Sequence, residues 1–230
     1  MSVLSTIPSV DYVNEISALF GTHRNDTDAH YMSKYMKGHF QFYGLKAGPR
    51  RNLQKVFLQN YGLPSDSTWR DICRECWVCE EREMQLFGME LAFKMKKKWV
   101  KEDVELIAFL IVNKSWWDTV DFIASNIAGY YFKTYPEEIP KTIPAWNNSD
   151  NMWLIRTSII FQLKYNHDTN FDLLKKVIHP HLSSNEFFIQ KAIGWALRQY
   201  ARFQPELVKN FVTETNLKPL SKREAMKHLE

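Results

Sequence analysis

A 35-residue recurrence in the C-terminal half constrains this chain more than any other feature. Arg156 follows Asp121 by 35 positions, and Lys191 follows Arg156 by 35. The neighbours keep step: Asp118, Trp153 and Phe188 share one register position, and Phe122, Thr157 and Ala192 share another. A period of this size corresponds to one pair of helices. Chains that repeat it stack the pairs into an α-solenoid with a concave face. Equivalent positions of stacked repeats point the same way, so Asp121, Arg156 and Lys191 are predicted to line one surface. A charged stripe alone is usually a solvated face. The aromatic residues beside this one give it more weight.

The rest of the chain agrees with an all-α fold. Val10, Val13, Ile16 and Leu19 recur at roughly helical spacing. Helices are expected at 9–20, 28–37, 49–61, 71–79, 80–98, 103–112, 117–135, 137–146, 151–165, 171–179, 185–203, 205–212 and 221–229. Only eight of the 230 residues are glycine, and few short runs alternate, which argues against a β-rich fold. The loops are short and no linker interrupts them, so a single domain over 1–230 is expected. No apolar stretch is long enough to span a membrane, and Met1-Ser2-Val3-Leu4-Ser5 lacks the basic start and apolar run of a secretory signal. Three cysteines, an odd number, do not make a disulfide framework. The expected setting is therefore a reducing cytoplasm, with no membrane partner. A formal net charge of +4 admits nucleic acid without demanding it.

Two groups of residues combine aromatic and charged side chains on one helix face. Trp117 and Asp121 are four apart. Lys191, Trp195 and Arg198 follow at i, i+4 and i+7. An isolated tryptophan usually belongs to a core. A tryptophan on a stripe shared with Asp, Lys or Arg instead offers flat π faces, a carboxylate and cations together. That mixture suits a cationic planar ligand on a phosphate backbone: the ring and the carboxylate attract the positive base, and the basic side chains hold phosphates. Trp116 lies off the stripe and is expected in the core. Asp118, in register with Trp153 and Phe188, is expected to be a structural acid.

Four stretches in order carry a family resemblance. They are Val112-Asn113-Lys114-Ser115-Trp116-Trp117-Asp118-Thr119-Val120-Asp121, Ser149-Asp150-Asn151-Met152-Trp153-Leu154-Ile155-Arg156, Glu186-Phe187-Phe188-Ile189-Gln190-Lys191-Ala192-Ile193-Gly194-Trp195-Ala196-Leu197-Arg198, and Pro219-Leu220-Ser221-Lys222-Arg223-Glu224-Ala225. Through them the chain resembles the AlkD family of bacterial alkylpurine DNA glycosylases, which are built of HEAT-like helical repeats. The resemblance runs from Ala29 to Leu229. It implies that Asp121 is the catalytic carboxylate and that Trp117 and Trp195 are its aromatic walls. It also implies that Tyr35 is an N-terminal aromatic of the same cleft, and that Arg156 and Arg198 contact DNA. Lys191 and Arg51 are added as candidate DNA contacts. The partner implied is double-stranded DNA containing alkylated bases, and the reaction is release of cationic N3- or N7-alkylated purines without a base-specific pocket. Ala47-Gly48-Pro49-Arg50-Arg51 departs from the family's usual Thr-Pro-Glu-Arg-Arg, which leaves open the entry of that helix and any phosphate contact by Arg51.

No cofactor or metal is expected. Cys73, Cys76 and Cys79 form CxxCxxC, but a cluster usually needs a fourth thiolate and the chain has no other cysteine. Buried free thiols fit better. His179-Pro180-His181 lacks a third ligand at a known spacing. The lysine run from Lys94 to Lys101 suits either DNA or a solvated helix end. Two other classes compete with the enzyme reading: a helical-repeat scaffold that uses Trp117 and Trp195 as partner anchors, and a protein that binds damaged DNA without cutting it. Nothing demands oligomerisation, so a monomer is expected.

Overall fold

The computed structural model describes residues 8–229; the Met1–Ser5 segment read for a leader lies outside them. Packing divides the chain into two compact units, one ending at Lys98 and one starting at Trp99. Both are helical.

The first unit holds α1 (Ser9–Thr22), α2 (Asp26–Tyr35), α3 (Ala47–Tyr61), α4 (Trp69–Val78) and α5 (Arg82–Lys94). α1 packs on α3 and α4, and α4 packs on α5. The core between them is aromatic: Tyr12 meets the edge of Phe57 at 4.9 Å, and Phe57 meets Phe87 edge-on at 5.9 Å. Asn25 caps α2 through its side chain, which accepts from the Asp28 N–H at 3.0 Å. The loop from α2 to α3 is held from below by Glu83. Its carboxylate is fully buried and accepts the backbone N–H groups of Tyr43, Gly44 and Leu45 at 3.0, 2.9 and 2.9 Å. Three charge-assisted bonds offset the burial of this acid. The sequence departure at 47–51 is absorbed simply: α3 begins at Ala47, two residues before the expected start, and Pro49 falls in the first turn, where an N–H has no helical partner to lose.

The second unit holds α6 (Val104–Val112), α7 (Trp117–Phe122), a π-helical stretch (Ile123–Ala128), α8 (Gly129–Thr134), α9 (Ile139–Asn147), α10 (Met152–Ile160), α11 (Phe171–Ile178), α12 (Phe187–Ala201), α13 (Pro205–Glu214) and α14 (Pro219–Met226). Asn151 accepts the N–H groups of Trp153 and Leu154 at 2.9 and 3.3 Å and so starts α10. Asn170 starts α11 in the same way. α10 packs against α9, α7 and α12, and α12 packs against α13 and α14. The fold is all-α, a stack of helix pairs of the α-solenoid type. α7, α10, α12 and α14 follow one another as touching neighbours in a single layer.

Several expected boundaries differ. The helix anticipated over 117–135 is interrupted by the π stretch, where Ser125 Oγ donates to the Asp121 carbonyl at 2.7 Å. Single π turns inside helices recur at functional positions. The helix anticipated over 80–98 stops at Lys94, and lysines 96–98 lie in a 3-10 turn. Lys98 pairs with Asp66 and Lys101 with Glu137. Cys73 and Cys76 are buried on α4 and Cys79 is half-buried, none of them in a disulfide. Among the described residues no group of three or more His, Cys, Asp or Glu is arranged to hold a metal ion. His181 bonds through Nε2 to the Asn147 carbonyl at 3.1 Å. Among the described residues no helix is long and apolar enough to cross a membrane.

Close approach of α12 and α14 depends on Gly194. A Cβ there would collide with Glu224 Cβ and lie 2.9 Å from the Ser221 carbonyl oxygen. Gly194→Ala therefore forces two helices apart, an overpacking expected to cost about 1–3 kcal/mol. Thermal unfolding should show a lower Tm for this variant, by about 2–4 °C per kcal/mol in a chain of this size. An unchanged Tm would refute the tight packing.

Candidate functional site

Residues from this layer of four helices enclose a cleft of about 320 Å³. α7 contributes Trp117 and Asp121, α10 Arg156, α12 Phe187, Phe188, Lys191, Trp195 and Arg198, and α14 Glu224. Trp117 begins α7, and Asp121 sits one turn later on the same face. Asp121, Arg156 and Lys191, the three charged residues of the 35-residue period, all line this cleft. Trp195 and Arg198 join them, as their i+4 and i+7 spacing from Lys191 requires.

The polar interior is built on Arg156. It is only 4% exposed. Its guanidinium grips Asp121 as a fork, with Nε to Oδ1 at 2.7 Å and Nη2 to Oδ2 at 2.9 Å. The remaining terminal nitrogen, Nη1, donates to the Phe188 backbone carbonyl at 2.5 Å. Three of the five Arg156 N–H donors are thus bonded within the protein. The bidentate geometry fixes the plane of the Asp121 carboxylate. Each carboxylate oxygen has a second lone pair, so two acceptor sites on Asp121 remain.

Behind this pair lies an aromatic cluster. Trp116, Trp153 and Phe188 meet pairwise, with centroids 5.8, 5.4 and 4.9 Å apart. Trp153 and Phe188 share one register of the repeat, and Trp116 packs against both although it is only half-buried. Asp118 lies in the first turn of α7, where the helix dipole favours an acid.

Glu224 is the residue that sequence reasoning missed. It accepts from Lys191 Nζ at 2.9 Å and from Arg198 Nη1 at 2.6 Å. Arg198 Nη1 also reaches the Glu224 carbonyl at 3.2 Å. Its hydrogen bonds with Lys191, then Arg198, hold its carboxyl down at about 2. The only sequence signal was its place in the Pro219–Ala225 stretch. Its partners lie 26 and 33 residues earlier, beyond any helical spacing. Cations outnumber carboxylates in the cleft by three to two. Lys191 and Arg198 are the more exposed of the three, at 36% and 26% of their side-chain surface.

A family model described as DNA alkylation repair enzyme matches residues 16–229. The chain belongs to the DNA alkylation repair enzyme family. A solved structure called "Predicted DNA alkylation repair enzyme from Enterococcus faecalis" is 34% identical to this member of the family. That match covers 90% of this chain and 96% of the other, with a TM-score of 0.82. No curated protein matches. Membership in the DNA alkylation repair family makes the chain a repair protein and DNA its substrate.

The other two residues singled out in the sequence belong to the first unit and are not among those lining the cleft. Tyr35 ends α2 and is 71% exposed. Arg51 is on α3 and shares Glu90 with the buried Arg50, through Nε at 3.2 Å. Most of the Arg51 side chain stays exposed.

The Glu224 triad carries a pH signature. A carboxyl lowered from 4.5 to about 2 in the folded chain contributes stability that is fully present above about pH 4.5 and lost as the pH falls toward 2. The gap in Tm between the parent and Glu224→Gln should therefore be constant above pH 4.5 and close on acidification. A gap that widened below pH 4.5 would contradict the ion-pair arrangement.

Proposed function

We propose that this chain is a DNA glycosylase of the AlkD type that hydrolyses the N-glycosidic bond of cationic N3- and N7-alkylated purines in duplex DNA. The observation that carries the reading is one cleft containing a carboxylate, Asp121, and two tryptophans, Trp117 and Trp195. A helical scaffold has no need of such a carboxylate.

The chemistry asks little of the protein. An alkyl group on N3 or N7 makes the purine cationic, so the base departs neutral and needs no proton from a general acid. The sugar passes through an oxocarbenium-like state. A fixed carboxylate opposes that charge and can orient the attacking water. Asp121 is the group for both roles. Arg156 is a positioning residue in this scheme: its fork keeps the carboxylate from turning away. The tryptophan faces favour positive charge on sugar and base and displace water from the cleft. Lys191 and Arg198, at the more exposed side of the polar network, are the candidates for phosphates. Glu224 holds both in place and prevents the unopposed cations from repelling one another. Tyr35 and Arg51 are proposed as additional DNA contacts from the first unit, with Arg51 drawing on its exposed guanidinium. Selection would then rest on the intrinsic lability of the charged lesion rather than on recognition of one base.

Incubation with methylated duplex DNA should release free 7-methylguanine or 3-methyladenine. Asp121→Asn keeps the shape and one acceptor for Arg156 but removes the charge, and the release rate should fall by roughly 100-fold or more. Parental release by this variant would sink the assignment. Tight binding of damaged duplex without any release by the parent chain would instead mark a damage-binding protein. Affinity for DNA should fall linearly on a log–log plot as salt rises, because phosphate contacts release counterions. A flat plot would remove Lys191 and Arg198 from the interface.

A further inference from the structure

A second pocket, of about 440 Å³, adjoins the cleft and shares Arg198 with it. Its polar lining is Arg198, Gln199, Arg202, Lys227 and His228, with no acidic residue among the described residues that line it. Arg202, Lys227 and His228 are exposed. The basic character has an ordinary partial cause. α12 ends at Ala201 and α14 ends at Met226, and the C-terminal end of a helix carries roughly half a negative charge. Two helix ends thus supply about one negative charge. Arg202 and Lys227 supply two positive ones, and Arg198 with Lys191 leaves one more after Glu224 is counted. Among the described residues that line the pocket the positive charges outweigh the helix ends, and no carboxylate lies among them.

We propose that this second pocket binds a backbone phosphodiester of the DNA strand whose lesion occupies the cleft, with Arg202 and Lys227 as its principal contacts. The inference rests on the reading that duplex DNA is the substrate. Arg198 is the joint between the two sites. Its Nη1 is tied to Glu224, which fixes the guanidinium at the wall common to both. A strand lying along this wall would present a charged base to Asp121 and the tryptophans while a neighbouring phosphate enters the basic pocket. The phosphate would bind by charge and hydrogen bonding without reading sequence, so the interaction would set the register of the strand rather than the choice of base.

The test uses the full chain and an undamaged duplex, so that cleavage does not enter. Binding is followed by fluorescence anisotropy across a salt series for the parent, for R202A/K227A and for the charge-keeping R202K/K227R. Each phosphate that is no longer neutralised by a cationic side chain lowers the slope of log K against log salt by about 0.9. The alanine pair should bind more weakly and with a slope shallower by about one unit, and the charge-keeping pair should retain the parental slope. Parental affinity and slope in the alanine pair would overturn the proposal, and so would equal weakening in both double variants. If the parent binds DNA with the expected slope change but releases no methylated base, the glycosylase reading fails and the phosphate site stands. If base release is seen while the slope is indifferent to both positions, the phosphate site alone fails.

Discussion

The second unit turns on one buried guanidinium. Arg156 leaves water almost completely, and removing such a charge from solvent costs several kcal/mol before any compensation. The compensation comes from three bonds to two partners: two to Asp121 on α7 and one to a backbone carbonyl on α12. Arg156 itself sits on α10, so one side chain binds three successive helices of the layer. Deleting either charged partner would strand the other, and a stranded buried charge is penalised more heavily than the pair is rewarded. The interaction is therefore better understood as a constraint on geometry than as a source of stability. Asp121 is held where it is because any other position leaves Arg156 unsatisfied.

Glu224 repeats the principle nearer to solvent. One carboxylate holds two cations, Lys191 and Arg198, at distances short enough to depress its own titration. It reaches them because Gly194 lets α14 lie directly on α12. The cleft is thus lined by two small ionic networks, each tying side chains on different helices, with tryptophans beside them on the same wall. Fixed charges of this kind need no reorganisation when charge develops on a ligand. Five of the nine residues that line the cleft are charged, and each of the five is held in one of these two networks.

The period of 35 residues and the helical spacings were enough to predict which side chains share a surface. Asp121, Arg156 and Lys191 follow from equivalent positions in stacked repeats, and Trp117, Trp195 and Arg198 from positions on one helix face. These are local or strictly periodic relations, and periodicity survives folding. Other features left no such trace. That Asp121 lies within a turn of a π stretch is invisible in a pattern that reads as one long helix. The end of α5 at Lys94 is likewise hidden in a run that continues polar and basic without a breaking residue. Glu224 stood in a recognisable stretch, yet nothing local gave it partners.

By itself the sequence determined the helical class, the repeat and six of the residues that face the cleft, Trp117, Asp121, Arg156, Lys191, Trp195 and Arg198, because these depend on spacing along the chain. The tertiary structure decided what each charge does. Burial and distance turned Arg156 inward onto Asp121, gave Lys191 and Arg198 a common acid, and separated Arg202 and Lys227 into a pocket with no acidic side chain among its described lining. Charges interact through space, and their partners lie 26 to 35 residues away along the chain. Only the packing of α7, α10, α12 and α14 brings them within hydrogen-bonding reach.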